Sequence, residues 1–175
     1  MVGNGEIIDQ IEAQLGAAER IEDVQQVVKV AARRLADAHG ATFVLLDRDM
    51  CYYADEDSMS PLWKGQRFPV TSCISGWTMI HRTAVTIADT RHDERIPQEA
   101  YRPTFVRSLA MVPMLGPDPV GAIGVYWARP GEPDPNVVKS LHRLARLAVV
   151  ALERFPEGIP EPGFKVATLQ AAGGE

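Results

Sequence analysis

Residues 108–127 read SLAMVPMLGPDPVGAIGVYW. Two apolar runs, Ser108–Leu115 and Val120–Trp127, flank the turn Gly116-Pro117-Asp118-Pro119, and together they form the clearest β-hairpin in the chain. On the C-terminal side, Asp134 is placed to cap a helix with Pro135 at its first position, where a missing N–H costs nothing. The apolar series Val137, Val138, Leu141, Leu144, Ala145, Ala148 and Leu152 carries that helix to Arg154. The stretch 155–175 is rich in proline, glycine and alanine and reads as a mobile tail, with Phe164, Val166 and Leu169 able to dock.

On the N-terminal side of the hairpin, Asp89 to Arg107 holds two prolines and little pattern beyond a short helix near Gln98–Tyr101. A connection of that length is usually functional. Before it come a strand over 84–88 and a helix from Cys73 to His81 that Ser72 or Thr71 can cap. Thr42–Leu46 and Met50–Ala54 read as a second hairpin around Asp47–Asp49. Asp55 to Gly65 is polar apart from Met59, Leu62 and Trp63 and reads as a loop, followed by a short strand over 67–70. Helical spacing predicts two helices at the start, over 5–18 and 22–39, the second capped by Asp23 and closed by a left-handed Gly40. The order α-α-β-β-β-α-β-loop-β-β-α, with tight links between strands, gives an α+β fold on a mainly antiparallel sheet.

With 175 residues, the chain suffices for one domain with a real core. A net charge of −5 repels phosphate backbones, and no basic patch offsets it, so nucleic acid is not expected as a partner. The first residues carry no secretory apolar region, and no run approaches the roughly 18–20 apolar residues of a membrane span. Cys51 and Cys73 do not make a disulfide framework, which points to a reducing cytoplasm, and neither has histidine at zinc-ligand spacing.

The run C-I-S-G-W-T-M-I-H-R-T-A-V-T-I-A-D-T from Cys73, and R-I-P-Q-E-A-Y-R-P-T-F-V-R-S-L-A-M-V-P from Arg95, resemble the GAF domains attached to bacterial two-component histidine kinases. The hairpin ending G-A-I-G-V-Y-W and the last helix fit as well, so the resemblance spans residues 5–154. It implies a GAF/PAS-like antiparallel sheet of about six strands with the terminal helices on one face. On the other face, the Cys73–His81 helix and the 89–107 segment form a ligand cup. Such domains commonly dimerise through their terminal helices, and they bind cyclic nucleotides, haem, bilins, other small molecules or nothing. The N-K-F-D-E pattern of cyclic-nucleotide binders and the adjacent Cys-His pair of bilin binders are missing here. Ser75 stands where members that reduce free methionine sulfoxide carry a cysteine.

The candidate ligand-binding residues are Ser72, Cys73, Ser75, Trp77, Asp89, Tyr101, Arg102, Phe105 and Arg107. Aromatic rings give a cup area, and a few polar groups fix the ligand. The helix start beside Ser72 suits an anionic group, helped by Arg107 or Arg102. The alternative is a filled cup, with Trp77 and Phe105 in the core and the arginines paired to Asp89 or Asp93. Cys73, at a helix start, is the candidate redox thiol, through a sulfenic acid or an intermolecular disulfide; the alternative is a small buried hydrophobe. Leu147 and Val150 fall off the main stripe of the last helix, which suggests a homodimer through the terminal helices. Three functions follow. The first is a cytoplasmic sensory module that binds an unidentified small molecule and signals through a dimer, a histidine kinase or another signalling protein. The second is a sulfoxide reductase-like enzyme or thiol redox sensor using Cys73. The third is a ligand-free dimerisation module. No cofactor is identified: nothing speaks for a cyclic nucleotide, bilin or metal, and no catalytic constellation is visible.

Overall fold

The computed structural model describes residues 3–160. The Phe164, Val166 and Leu169 positions lie outside the described residues, as does most of the tail. Six strands form one antiparallel sheet in the order β3-β2-β1-β6-β5-β4. They are β1 (Gly40–Asp47), β2 (Met50–Ser58), β3 (Arg67–Pro69), β4 (Val85–Ile87), β5 (Ser108–Leu115) and β6 (Pro119–Trp127). The 108–127 hairpin lies beside β1, which pairs with both β2 and β6. Helices α1 (Asn4–Gly16), α2 (Ile21–Ala36) and α5 (Pro135–Leu152) cover one face, and α3 (Ile74–His81) and the short α4 (Gln98–Tyr101) cover the other.

The sheet therefore separates two cores. Strand alternation sends Ala41, Phe43 and Leu45 to the three long helices and Val44 and Leu46 to the α3 side. The helical core closes on Phe43, Ile123, Val24, Leu141, Leu144 and Leu152, each essentially buried. Asp134 caps α5 as the sequence predicts, its carboxylate accepting from Asn136 N at 2.8 Å with Pro135 in the first turn. Leu147 of α5 is packed against the helical core, and Val150 is 64% exposed. Beyond α5, Phe155 and Ile159 also pack against this core.

Four local expectations need correction. Helix α2 starts at Ile21, so Asp23 is its third residue rather than its cap, and its carboxylate reaches back to accept from Glu19 N and Arg20 N at 2.9 and 3.1 Å. The helix closes on Asp37, whose φ of 46° is left-handed, not on Gly40. Gly40 instead opens β1 in a tight place: a Cβ there would stand 2.7 Å from Ser58 Oγ and 3.1 Å from the Phe105 ring, so both side chains would have to shift. Cys73, rather than Ser72 or Thr71, is the cap of α3, because 70–72 form a tight 3-10 turn just before it.

The fourth correction concerns the acidic run Asp55-Glu56-Asp57, which belongs to β2 and not to a loop. Its charges have partners on both sides of the strand. A bulge opposite Phe43/Val44 leaves Ala54 unpaired and shifts the alternation by one residue. Cys51 and Tyr53 before the bulge face the α3 side, whereas Asp55 and Asp57 after it face α2. Asp55 pairs with Lys29 Nζ at 2.8 Å and Lys64 Nζ at 3.1 Å, and Asp57 pairs with Arg33 at 2.9 Å.

Candidate functional site

Glu56, between those two aspartates, points to the opposite face. Its carboxylate accepts the backbone N–H groups of Leu62, Trp63 and Lys64 at 2.8, 2.9 and 2.7 Å. This clasp bends the Met59–Gln66 segment over the sheet and drives Trp63 into the space between the sheet and α4. Trp63 is buried, and its indole N–H donates to Ala100 O at 3.0 Å. Its ring centroid lies 4.7 Å from that of Tyr101, 5.4 Å from Tyr126 and 5.6 Å from Tyr53. These four rings, with Met79, Met111 and Ile74, fill the cup.

The hydroxyls of the cup are not equally served. Tyr126 exchanges a 2.8 Å hydrogen bond with Thr42, in room left by Gly124, and Tyr53 meets Ser75 Oγ at 3.1 Å. Tyr101 is buried and its hydroxyl has no partner. An unpaired buried hydroxyl typically costs about 1–3 kcal/mol. Burial pushes all three phenols above their ordinary range, so they act as neutral hydrogen-bonding groups.

At the start of α3, Cys73 Sγ lies 3.1 Å from Cys51 Sγ, 3.3 Å from Ser75 Oγ and 3.4 Å from Gly76 N, whose N–H it accepts. Both thiols are free and buried. Cys73 has its ionisation favoured, first by the thiol of Cys51 as donor to a Cys73 thiolate and then by Ser75 and the Gly76 N–H, against the opposing effect of burial. Cys51 is pushed the other way by the same shared hydrogen bond and by burial.

The nine candidates thus separate into three places. Cys73, Ser75 and Tyr101 face the buried cup. Trp77 and Phe105 stand at its two margins. Trp77 is half-buried, stacked 4.0 Å from His81 with the Arg95 guanidinium 4.9 Å from its ring. Phe105 meets the edge of His39 at 6.3 Å. Of the other four, Ser72 and Arg102 are exposed, whereas Arg107 is half-buried, pairs with the half-buried Asp89 at 3.4 Å and has its Nε buried without a partner. Asp89 is held below the usual carboxylate range, chiefly by the N–H of Arg91 and then by the Arg107 charge. Trp63, Tyr53, Tyr126, Glu56 and Cys51 belong to the site and were not among the candidates. Leu62-Trp63, the one large apolar pair in a polar stretch, was the available signal for the first of them.

Three surface cavities bounded by described residues lie elsewhere. The largest of the three, about 340 Å³, is lined by Asp37, Trp127 and the 129–134 segment. The others are about 290 Å³ between α1 and α2 and about 270 Å³ beside Pro117–Val120. Among the described residues, no group of three His, Cys, Asp or Glu side chains is placed to hold a metal, and no helix is long and apolar enough to cross a membrane.

Residues 18–153 match the family model of the GAF domain. No curated protein sequence matches the chain. Among solved structures it is similar to the free methionine-R-sulfoxide reductase of Neisseria meningitidis, solved with its substrate, at 16% identity over 89% of this chain and 92% of that one, with a TM-score of 0.76. It is similar to the GAF domain of a phosphoenolpyruvate-protein phosphotransferase from Coxiella burnetii at 13% identity, over 88% and 95% of the two chains, with a TM-score of 0.77. The GAF-B domain of DevS from Mycobacterium smegmatis follows at 13% identity, 78% and 96% coverage and a TM-score of 0.65. Identities this low establish a common fold and nothing finer.

Proposed function

Because the chain belongs to the GAF family, we propose that it is a sensory or regulatory module that binds a small molecule in the cup over β1, β6 and β5 and passes the event to a partner. One observation carries this reading: the Tyr101 hydroxyl is buried in the cup without a hydrogen-bond partner. A ligand with a polar atom at that point would remove the penalty, and it takes the place beside Tyr53 and Tyr126 that the Trp63 ring fills. The ligand enters by lifting the Met59–Gln66 segment, whose clasp on Glu56 is made of hydrogen bonds that water can replace. Cys73 and Ser75 are buried in its wall, and Trp77 and Phe105 pack half-buried against it. Output runs through a second copy of the chain, seated on the outer side of α2 and α5 where Val30 and Val150 are 43% and 64% exposed, or through a histidine kinase or other signalling protein.

The test is native mass spectrometry and an absorption spectrum of gently purified protein, followed by a thermal-shift screen of metabolites. A ligand selective for the folded state must raise its midpoint. The expected result is at least one compound that raises the midpoint of the wild type and not of Tyr101→Phe. A midpoint that ignores every compound, in protein that carries no small molecule, would favour a ligand-free dimerisation module. Turnover of free methionine sulfoxide that disappears in Cys73→Ser would replace this reading with an enzymatic one.

A further inference from the structure

We propose that Cys51 and Cys73 form a reversible intramolecular disulfide, a modification site between β2 and the start of α3 in which Cys73 meets the oxidant and Cys51 resolves it. The two sulfurs are 3.1 Å apart and held there from both sides. Cys51 lies in the paired register of β2, opposite Leu46 and Phe68, and Cys73 is fixed as the cap of α3. A disulfide places its sulfurs at about 2.05 Å, so closure brings the two sulfurs about 1 Å nearer to each other.

The two thiols are not equivalent. Cys51 has no exposed surface, whereas Cys73 retains 6% and follows the exposed Thr71 and Ser72. A peroxide, which is only slightly larger than water, reaches Cys73 first. Ser75 Oγ and the Gly76 N–H stabilise negative charge on that sulfur, and once Cys73, the donor of the bond between the thiols, has lost its proton, the Cys51 S–H can donate to it in turn. The Cys73 thiolate attacks one peroxide oxygen, the O–O bond breaks, and the leaving hydroxide takes up the thiol's proton as water. Cys73 is now a sulfenic acid. The Cys51 sulfur then attacks the Cys73 sulfur, the S–O bond breaks, and hydroxide leaves with the Cys51 proton as a second water. Two thiols and one peroxide give one disulfide and two waters, two electrons passing from sulfur to oxygen. A dithiol reductant restores the pair by exchange.

Oxidation has a structural consequence. The sulfur that now caps α3 is drawn toward β2, away from Gly76 N and Ser75 Oγ. Ser75 is also the partner of Tyr53 in the cup, so the redox state of the pair bears on the cup wall. The arrangement differs from the intermolecular disulfide expected for Cys73, because a buried partner on the same chain is already within contact.

The experiment treats the full-length native protein with hydrogen peroxide, quenches it with acid, alkylates it in denaturant and maps peptides by mass spectrometry. The expected product is a Cys51–Cys73 linked peptide pair lighter by about two hydrogens, running as monomer on a non-reducing gel and lost after dithiol treatment. In Cys51→Ser, Cys73 should stop at a sulfenic acid that dimedone traps, and in Cys73→Ala, Cys51 should remain reduced. Should either variant fail to fold, the wild-type peptide map decides alone. The proposal is overturned if both thiols stay alkylatable at peroxide levels that oxidise a free thiol, if oxidation yields only cross-linked dimers, or if Cys73 passes to sulfinic acid with Cys51 still reduced.

Discussion

Replacing Trp63 by alanine tests whether the cup is sealed by that ring. Trp63 is 3% exposed, so nearly all of its surface is withdrawn from water. An aromatic side chain of this kind buries about 150–250 Å², which at about 25 cal/mol per Å² corresponds to about 4–6 kcal/mol. A compact unfolded state and the area retained by alanine reduce this to about 3–4 kcal/mol. Loss of the indole N–H leaves Ala100 O without its 3.0 Å donor, a further cost of about 1 kcal/mol. The net expectation, about 4 kcal/mol, lies within the range of about 3–5 kcal/mol for tryptophan-to-alanine changes in cores. In a domain of this size, that lowers the thermal midpoint by about 8–16 °C. Urea unfolding of both proteins with linear extrapolation reads the difference. The vacated space is walled by Tyr53, Tyr101 and Tyr126, so millimolar indole should raise the midpoint of the variant and leave the wild type unmoved. A loss below about 1 kcal/mol, the behaviour of a surface residue, together with no response to indole, would refute the seating of Trp63 and with it the clasp at Glu56.

Two further outcomes follow from the same packing. Gly76→Ala would place a Cβ 1.9 Å from Val70 O, a backbone atom, so the turn before α3 must move; the loss should reach or exceed about 3 kcal/mol, and denaturation within about 0.5 kcal/mol of the wild type would contradict the geometry. Burial works to raise the Asp55 carboxyl, but the bonds from Lys29, Lys64 and Glu56 N outweigh it and hold the folded-state value below the usual range. Its contribution is therefore fully present above the unfolded value of about 3.9 and is lost as pH falls through the lower folded value. Urea midpoints measured from about pH 6 to about pH 2 should fall less steeply in Asp55→Asn than in the wild type below about pH 4, and parallel curves would remove Asp55 from the acid transition.

Local signals sufficed wherever one residue type had one physical use. The Asp134-Pro135 start of α5 and the turn at 116–119 were legible because each needs only its own neighbours in the chain. Gly40 was misread because glycine has two uses. Its place after an apolar helix fits a left-handed cap, whereas in the fold it opens β1 under the Ser58 and Phe105 side chains. The acidic run in β2 was misread for a related reason. Three adjacent carboxylates in a strand make sense only with Lys29, Arg33 and the 62–64 backbone in place, and those partners are set by the bulge at Ala54. The same holds for the cup. Tyr101, Cys73 and Ser75 were identified from the α3 and 89–107 segments, while Cys51, Tyr53, Glu56 and Trp63 come from β2 and the loop after it, which carry no motif. The Cys51–Cys73 contact joins residues 22 positions apart through the sheet, and neither spacing nor composition encodes it.

The bulge also explains how the two faces of the sheet are tied together. After Ala54, three consecutive side chains alternate between layers: Asp55 and Asp57 hold Lys29 and Arg33 of α2, and Glu56 holds the Trp63 segment over the cup. Lys64, from that same segment, reaches Asp55 at 3.1 Å, so the cup cover and α2 share one carboxylate. Much of the remaining contact between the layers runs through apolar strand residues, whose packing tolerates small slides at little cost in energy. Charge-assisted hydrogen bonds do not, because they weaken steeply with distance and angle. Movement of the Trp63 cover must therefore stretch its bonds to Glu56 and Asp55 of β2, and Asp55 is held in turn by Lys29 of α2. The 59–66 segment is thus joined through Asp55 to Lys29 of the helical layer.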